Sequence, residues 1–309
     1  MQTIFFTGKG GVGKSTLSAA TAWQLADRGH KVLAVSFDPA HNLGDIFGLT
    51  LGHRRKQFSE NLWLQEIDLD KSAAQYIEEN IDLLGQVYSY TRAFNFDSYF
   101  KTMRYSPGVE EYAALTALQE IISTETEFDY IVFDTPPTGL TLRILALPNI
   151  TITWVDRLRR IRRELLKKRH TVHNLDGTFI AEGVVLPYEE KDDTVLRKLD
   201  AMWKRYVELY NVLQGADTSI AVVFNPDYLS LRESQRIVSG LSDLRLPLRA
   251  AYNNKCTAEN QDTAGEVEGQ LLHERSDVTV VRVPRTAYRR EYAYEVPVEL
   301  TAPFLAVTP

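Results

Sequence analysis

The sequence predicts an α/β fold, a doubly wound and mostly parallel sheet flanked by helices with a helical lobe inserted into it. Three observations predict it. Apolar runs rich in β-formers recur along the chain, several nearly continuous, as in strands buried on both faces. Helical patterns follow several of these runs. The first run passes through a glycine-rich loop directly into a helix.

The strand-like runs are Thr3–Thr7, Val32–Phe37, Leu62–Ile67, Tyr130–Phe133, Ile220–Phe224, Leu248–Tyr252 and Val278–Val283. Helical periodicity marks Ser15–Asp27, Leu140–Leu147 and Ser230–Leu241. Two segments interrupt the alternation. The first, about 71–128, is helical in pattern and rich in Tyr and Phe. The second, about 156–213, holds the basic stretch Arg157–Arg169 and the amphipathic stretch Val195–Leu213. Both read as helical insertions into one domain spanning 1–309, packed together at one end of the sheet. The polar run Cys256–Gly269 reads as a mobile connector.

Composition narrows the function. The 309 residues suffice for a large core, and 44% hydrophobic with 25% charged residues is ordinary for a globular protein. A net charge of −6 disfavours nucleic acid as a partner, so none is expected. One cysteine, Cys256, cannot form an intrachain disulfide and cannot alone supply a zinc or iron–sulfur site. A dimer would bring two such thiols, short of the four a bridging cluster needs. The reading is therefore cytoplasmic, with no signal peptide and no membrane span.

The glycine-rich loop is Gly8-Lys9-Gly10-Gly11-Val12-Gly13-Lys14-Ser15, followed by Thr16. It matches G-x-x-x-x-G-K-[ST] in strand–loop–helix context, the signature of a P-loop NTPase. The glycines let backbone N–H groups turn onto phosphate oxygens, and the helix directs its positive end at them. Lys14 can reach the β- and γ-phosphates, and Ser15 can hold Mg²⁺. ATP and Mg²⁺ are the expected cofactors. Lys9 is not needed to hold the nucleotide of its own subunit.

Two further strings end strands. Ser36-Phe37-Asp38-Pro39-Ala40-His41-Asn42-Leu43-Gly44-Asp45 follows the second strand. A carboxylate there sits where ligands bind in open α/β sheets, so Asp38 can orient or deprotonate water and Asn42 can reach the γ-phosphate. As a bare string, the Asp-Pro pair is only a turn signal. Phe133-Asp134-Thr135-Pro136-Pro137-Thr138-Gly139 closes an apolar strand with a carboxylate in the Walker B position, where Asp134 can meet Mg²⁺ directly or through water.

Together these strings, with Leu140-Thr141-Leu142-Arg143 after the last, resemble the arsenite-pump and guided-entry ATPase family, within the deviant Walker A group. Pro107-Gly108-Val109-Glu110-Glu111 and Tyr228–Ser234 are similar to further family segments, and the resemblance runs from Thr3 to about Pro284. It implies a homodimer that sandwiches two ATP molecules, closes on ATP and reopens on hydrolysis. It implies that Lys9 acts across the interface on the partner's nucleotide and that Asp38 handles the water. It also implies that Asp134 and Asp38 support Mg²⁺ with Ser15, and that Asn253 contacts the purine. The partner it implies is a hydrophobic client, including tail-anchored membrane proteins.

The chain departs from the family pattern in three places. Leu140 stands where the family has His, and Pro136-Pro137 is closer to partition-type relatives. Cys256 lacks a second cysteine two residues away, so the zinc clasp of the eukaryotic factors is missing. With three methionines the chain has no methionine-rich groove, which leaves Leu, Tyr and Phe to line one. Tyr76, Tyr88, Tyr90, Phe94, Phe96, Tyr99 and Phe100 serve either a groove or the core.

In Arg157–Arg169, Leu158, Ile161 and Leu165 share one helical face. The plainer reading turns that face to the core and the basic face to solvent. The alternative makes the apolar face part of a groove with a basic rim. Three functions stay open: a dimeric switch for a hydrophobic client, the ATPase subunit of an anion or arsenical pump, and a partition-type switch. A peripheral membrane or membrane-protein partner fits all three.

Overall fold

A computed structural model describes residues 1–38, 42–87, 106, 108–176, 180–181, 184–185, 187–273, 275, 277–286 and 293–305. Pro39, Ala40 and His41, the aromatics from Tyr88 to Phe100, and Pro107 lie outside the described residues.

The strands are β1 (Gln2–Gly8), β2 (Val32–Ser36), β3 (Lys56–Gln57), β4 (Leu62–Glu66), β5 (Tyr130–Asp134), β6 (Ile180–Ala181), β7 (Val184–Val185), β8 (Thr218–Phe224), β9 (Leu248–Cys256) and β10 (Thr279–Pro284). Eight of them form one sheet in the order β10-β9-β8-β1-β5-β2-β4-β3. Its pairings are parallel except for β3 against β4. Every strand-like run of the sequence lies in this sheet.

The helices are α1 (Lys14–Asp27), α2 (Asn42–Phe47), α3 (Leu69–Val87), α4 (Val109–Thr124), α5 (Thr138–Asp176), α6 (Thr194–Gln214), α7 (Tyr228–Asp243), α8 (Gln261–Leu271) and α9 (Ala302–Leu305). Side-chain alternation in β1 splits the core in two. Phe5 joins Leu33, Val35, Ile131 and Phe133 under α4 to α7. Ile4 and Phe6 join Val32, Val132 and Tyr252 under α1 and the C-terminal segment. Residues buried on both faces explain why these runs read as continuous rather than alternating.

Two sequence expectations need correction. The run Cys256–Gly269 is not a connector. Thr257 and Asn260 form a capping box, and α8 buries Ala264, Val267 and Leu271 at helical spacing. The polar composition hid a sparse apolar stripe. The second correction concerns Leu140–Leu147 and Arg157–Arg169, which are one 39-residue helix, α5, with Pro148 inside it. A proline removes one backbone donor at about 3 kcal/mol. Packing of α5 on α4, α6 and α7 holds the helix together across it.

The packing of α5 against α6 also reverses the plainer reading of the basic stretch. Leu158 and Ile161 are 47% and 52% exposed. Arg159 and Arg162 turn inward beside Val155 and Leu166. Arg159 donates to Asp200 at 2.5 Å and lies 4.6 Å from the centre of the Trp203 ring. Arg162 makes two bonds, 3.1 and 2.7 Å, to the fully buried Asp193. Asp193 also caps α6 by accepting from the Leu196 N–H at 2.6 Å. Burial pushes the Asp193 carboxyl up, but Arg162 and the Leu196 N–H outweigh it and hold it below the ordinary value.

Candidate functional site

The loop Gly8–Ser15 leaves the C-terminal end of β1 at the centre of the sheet. Two of its glycines are required by close approach. A Cβ on Gly8 would fall 2.2 Å from the Val223 carbonyl oxygen. Gly13 caps α1 with φ +99°, and a Cβ there would fall 2.3 Å from Asn254 Nδ2. The first turn of α1 holds no acidic residue and no side chain caps it. Its N–H groups and the positive end of the helix therefore face the loop, as anion binding requires.

Lys14 is 5% exposed, and its ammonium reaches the Lys9 carbonyl at 3.4 Å. Burial lowers its pKa, opposed by the charges of Asp134 and Asp38. Those two carboxylates thus share one electrostatic field with the loop lysine. Lys9 is half-buried, and among the described residues no partner is recorded for its ammonium.

Asp134 ends β5 and is 1% exposed. Burial pushes its carboxyl up to about 7, against the Ser15 hydroxyl bond, the Lys14 charge and the Ser36 hydroxyl bond; Asp38 pushes it further up. Its Oδ1 is buried without a hydrogen-bond partner. Ser36 Oγ lies 3.5 Å from Asp134 Oδ2 and accepts the Asp38 N–H at 3.2 Å. One hydroxyl thus ties the end of β2 to the end of β5. An orphaned buried carboxylate oxygen beside a serine hydroxyl is a hard oxygen donor set, and it fits Mg²⁺. Among the described residues no three His, Cys, Asp or Glu side chains converge on a metal site. Mg²⁺ commonly takes one or two carboxylates and completes its shell with phosphate oxygens and water.

Past β5 the chain is pinned at once. Thr135 Oγ1 donates to the Phe6 carbonyl at 2.7 Å, and Thr141 Oγ1 donates to the Pro136 carbonyl at 2.6 Å. Helix α5 starts inside this turn, at Thr138. Leu140 is half-buried against the core rather than directed at the loop. Asn42 starts α2 and is half-buried, and Asp45 is exposed. The α2 backbone is held from β4, where the buried Glu66 accepts the Gly44 N–H at 2.8 Å.

Asn253 is not brought to the loop. Its amide donates to Ala264 O at 3.3 Å and Glu268 Oε1 at 2.7 Å, on the α8 side of β9. The neighbouring residues reach the loop instead. Asn254 Nδ2 donates to Val12 O at 2.8 Å, and Lys255 Nζ donates to Gly11 O at 2.7 Å. Strand alternation could have found this. Tyr252 lies in the core on the α1 side of the sheet, so Asn254, two residues on, faces the same way. Asn254→Ala leaves the Val12 carbonyl unpaired and frees the loop, at about 1–3 kcal/mol. ATP binding is expected to weaken roughly tenfold, as read by fluorescent-nucleotide titration. Wild-type affinity would show that Asn254 does not shape the loop.

The family description "Anion-transporting ATPase" matches residues 1–283. The chain is 31% identical over 301 residues to arsenical pump-driving ATPase 2 of Aquifex aeolicus, covering 94% of each chain. It is 33% identical over 252 residues to arsenical pump-driving ATPase 1 of the same organism, covering 76% of this chain and 58% of that one. It is 28% identical over 276 residues to the ATPase GET3 of Phaeosphaeria nodorum, covering 86% of this chain and 80% of that one. The chain belongs to the anion-transporting ATPase family and is an ATP-hydrolysing enzyme.

Proposed function

We propose that the chain is a homodimeric switch, built as one ATPase domain, whose ATP cycle drives the helices α4 to α6 against an apolar partner. One observation carries this reading. The residues that would sense the γ-phosphate run without interruption into α5, whose far half displays apolar side chains outward.

In this reading the backbone from Gly8 to Thr16 cradles the phosphates. Lys14 neutralises the β- and γ-oxygens. Ser15 and Asp134 hold Mg²⁺, with Asp38 in reach through water. When bound, the cation draws charge from the phosphates. Asp38 orients the attacking water, and Asn42 meets the γ-phosphate. Lys9 crosses to the partner protomer's nucleotide and stabilises charge in the transition state. Among the described residues the ammonium of Lys9 has no partner, in keeping with such a role.

The test is Lys9→Ala. ATP binding is expected to stay within about twofold, while turnover falls at least a hundredfold, the scale of a lost transition-state cation. The specific activity of the wild type should rise with protein concentration as dimers form. Wild-type turnover in Lys9→Ala, or activity independent of concentration, would exclude the cross-protomer role.

Names of relatives raise a second reading, the ATPase subunit of an arsenical pump. Burial and Glu268 push the Cys256 thiol up, and its sulfur is engaged with the Asn253 carbonyl at 3.2 Å. A thiol held protonated is a poor ligand for a soft metalloid. Among the described residues no helix is long and apolar enough to cross a membrane. We place the switch in the cytoplasm.

A further inference from the structure

On α5 the exposed large apolar residues are Ile150, Trp154, Leu158, Ile161, Val172 and Leu175. At 100° per residue they fall within a sector of about 100°, and they extend over about 37 Å of helix. The side chains that pack this helix onto α6 occupy the other side, where Arg159 and Arg162 are already paired with Asp200 and Asp193. The stripe is therefore not surplus core. It is a ridge left outside a hairpin whose interior is closed by ion pairs.

The charge beside the stripe indicates its occupant. Arg157, Arg160 and Lys167 follow one flank, and Lys168 lies within the stripe, where its long stem can cross apolar surface to reach a headgroup. Arg160 pairs with Asp156 at 2.6 Å, whereas no partner is recorded for Arg157, Lys167 and Lys168 among the described residues. Between Arg157 and Leu175 the one acid is Glu164. The rest of the chain is acidic enough to bring the net charge to −6, so this cationic strip is local. A hydrophobic peptide helix is commonly held in an apolar groove and needs no anionic partner for such a strip. A planar anionic surface satisfies both halves: apolar side chains enter the acyl boundary, Trp154 sits at the interface, and the basic flank meets phosphate headgroups.

We propose that the outward face of α5 docks in the plane of an anionic lipid surface. The inference rests on the reading that the ATP-driven helices meet an apolar partner, and it specifies that partner.

The test is co-sedimentation of the full chain with large vesicles of phosphatidylcholine containing one-quarter phosphatidylglycerol, and with phosphatidylcholine alone. ATP hydrolysis is measured separately without lipid. The wild type should pellet with the anionic vesicles, at least tenfold less with the neutral ones, and less as salt rises. The tryptophan emission should shift to the blue, and this shift should vanish in Trp154→Phe. Leu158→Glu/Ile161→Glu should lose at least tenfold in binding with lipid-free hydrolysis unchanged. Lys167→Glu/Lys168→Glu, both exposed, should also lose binding and guards against a fold defect in the first variant. Absence of pelleting, or equal pelleting of all variants, overturns the proposal. So does Leu158- and Ile161-dependent capture of a soluble apolar helical peptide without vesicle binding, or a change of homodimer mass in the glutamate variants. Failure of the switch reading shows differently, as normal vesicle binding with a hydrolysis rate that does not depend on Lys9.

Discussion

Asp134→Asn is expected to abolish Mg²⁺-dependent hydrolysis while making the nucleotide-free protein more stable above pH 7. The two effects have one cause. Burial holds the Asp134 carboxyl at about 7, whereas an ordinary aspartate titrates near 3.8. A carboxyl raised in the folded state favours folding while it stays protonated. As pH rises from about 4, the unfolded chain releases its proton and the folded chain does not, so stability falls until about pH 7 and then levels off. Asparagine never ionises and avoids this cost, which is at most about 4 kcal/mol at pH 8. The gap in thermal midpoint between variant and wild type should therefore widen from pH 5 to pH 8. Magnesium needs the ionised carboxylate, so Mg²⁺–ATP binding by the wild type should tighten as pH rises through 7 and release a proton. In the variant that pH dependence should disappear, with turnover down by about a thousandfold. Phosphate release and thermal scans at the two pH values check both halves. A variant that keeps Mg²⁺-dependent turnover removes Asp134 from the metal site.

Asp38→Asn is expected to separate binding from chemistry. Asp38 follows β2, half-buried, with its N–H tied to Ser36 and its charge acting on Lys14 and Asp134. Asparagine keeps the size and the backbone bond but cannot accept a proton. A lost general base costs about 10²–10⁴ in rate. The expected pattern is a fall of that size in kcat with KM within about threefold, the mark of an interaction made in the transition state. Unchanged kcat would remove Asp38 from the mechanism. A large rise in KM with kcat preserved would assign it to binding alone.

Much of the site was legible because its chemistry is local. The loop Gly8–Ser15 carries its conformation in glycines and its charge in Lys9, Lys14 and Ser15, all within one turn of chain. Asp38 and Asp134 were legible from apolar runs that end in a carboxylate. The Asn254 bond that holds the loop was not, since Asn254 differs from Asn253 only in strand phase, and phase follows from which face Tyr252 buries. Glu66 was missed because nothing in its own string shows that it holds α2 by the Gly44 N–H.

By itself, then, the sequence determined the α/β sheet, the phosphate loop, the two strand-end carboxylates and the ATPase family. Each of these is written in contiguous residues whose backbone preferences and periodicity act over a few positions. Only the tertiary structure decided that α5 runs unbroken through Pro148, that α8 is a helix, and that Arg159 and Arg162 turn inward while Leu158 and Ile161 face out. The physical reason is that an amphipathic helix has two possible burial faces. The choice between them is made by what stands opposite, here Asp193 and Asp200, more than thirty residues away along the chain.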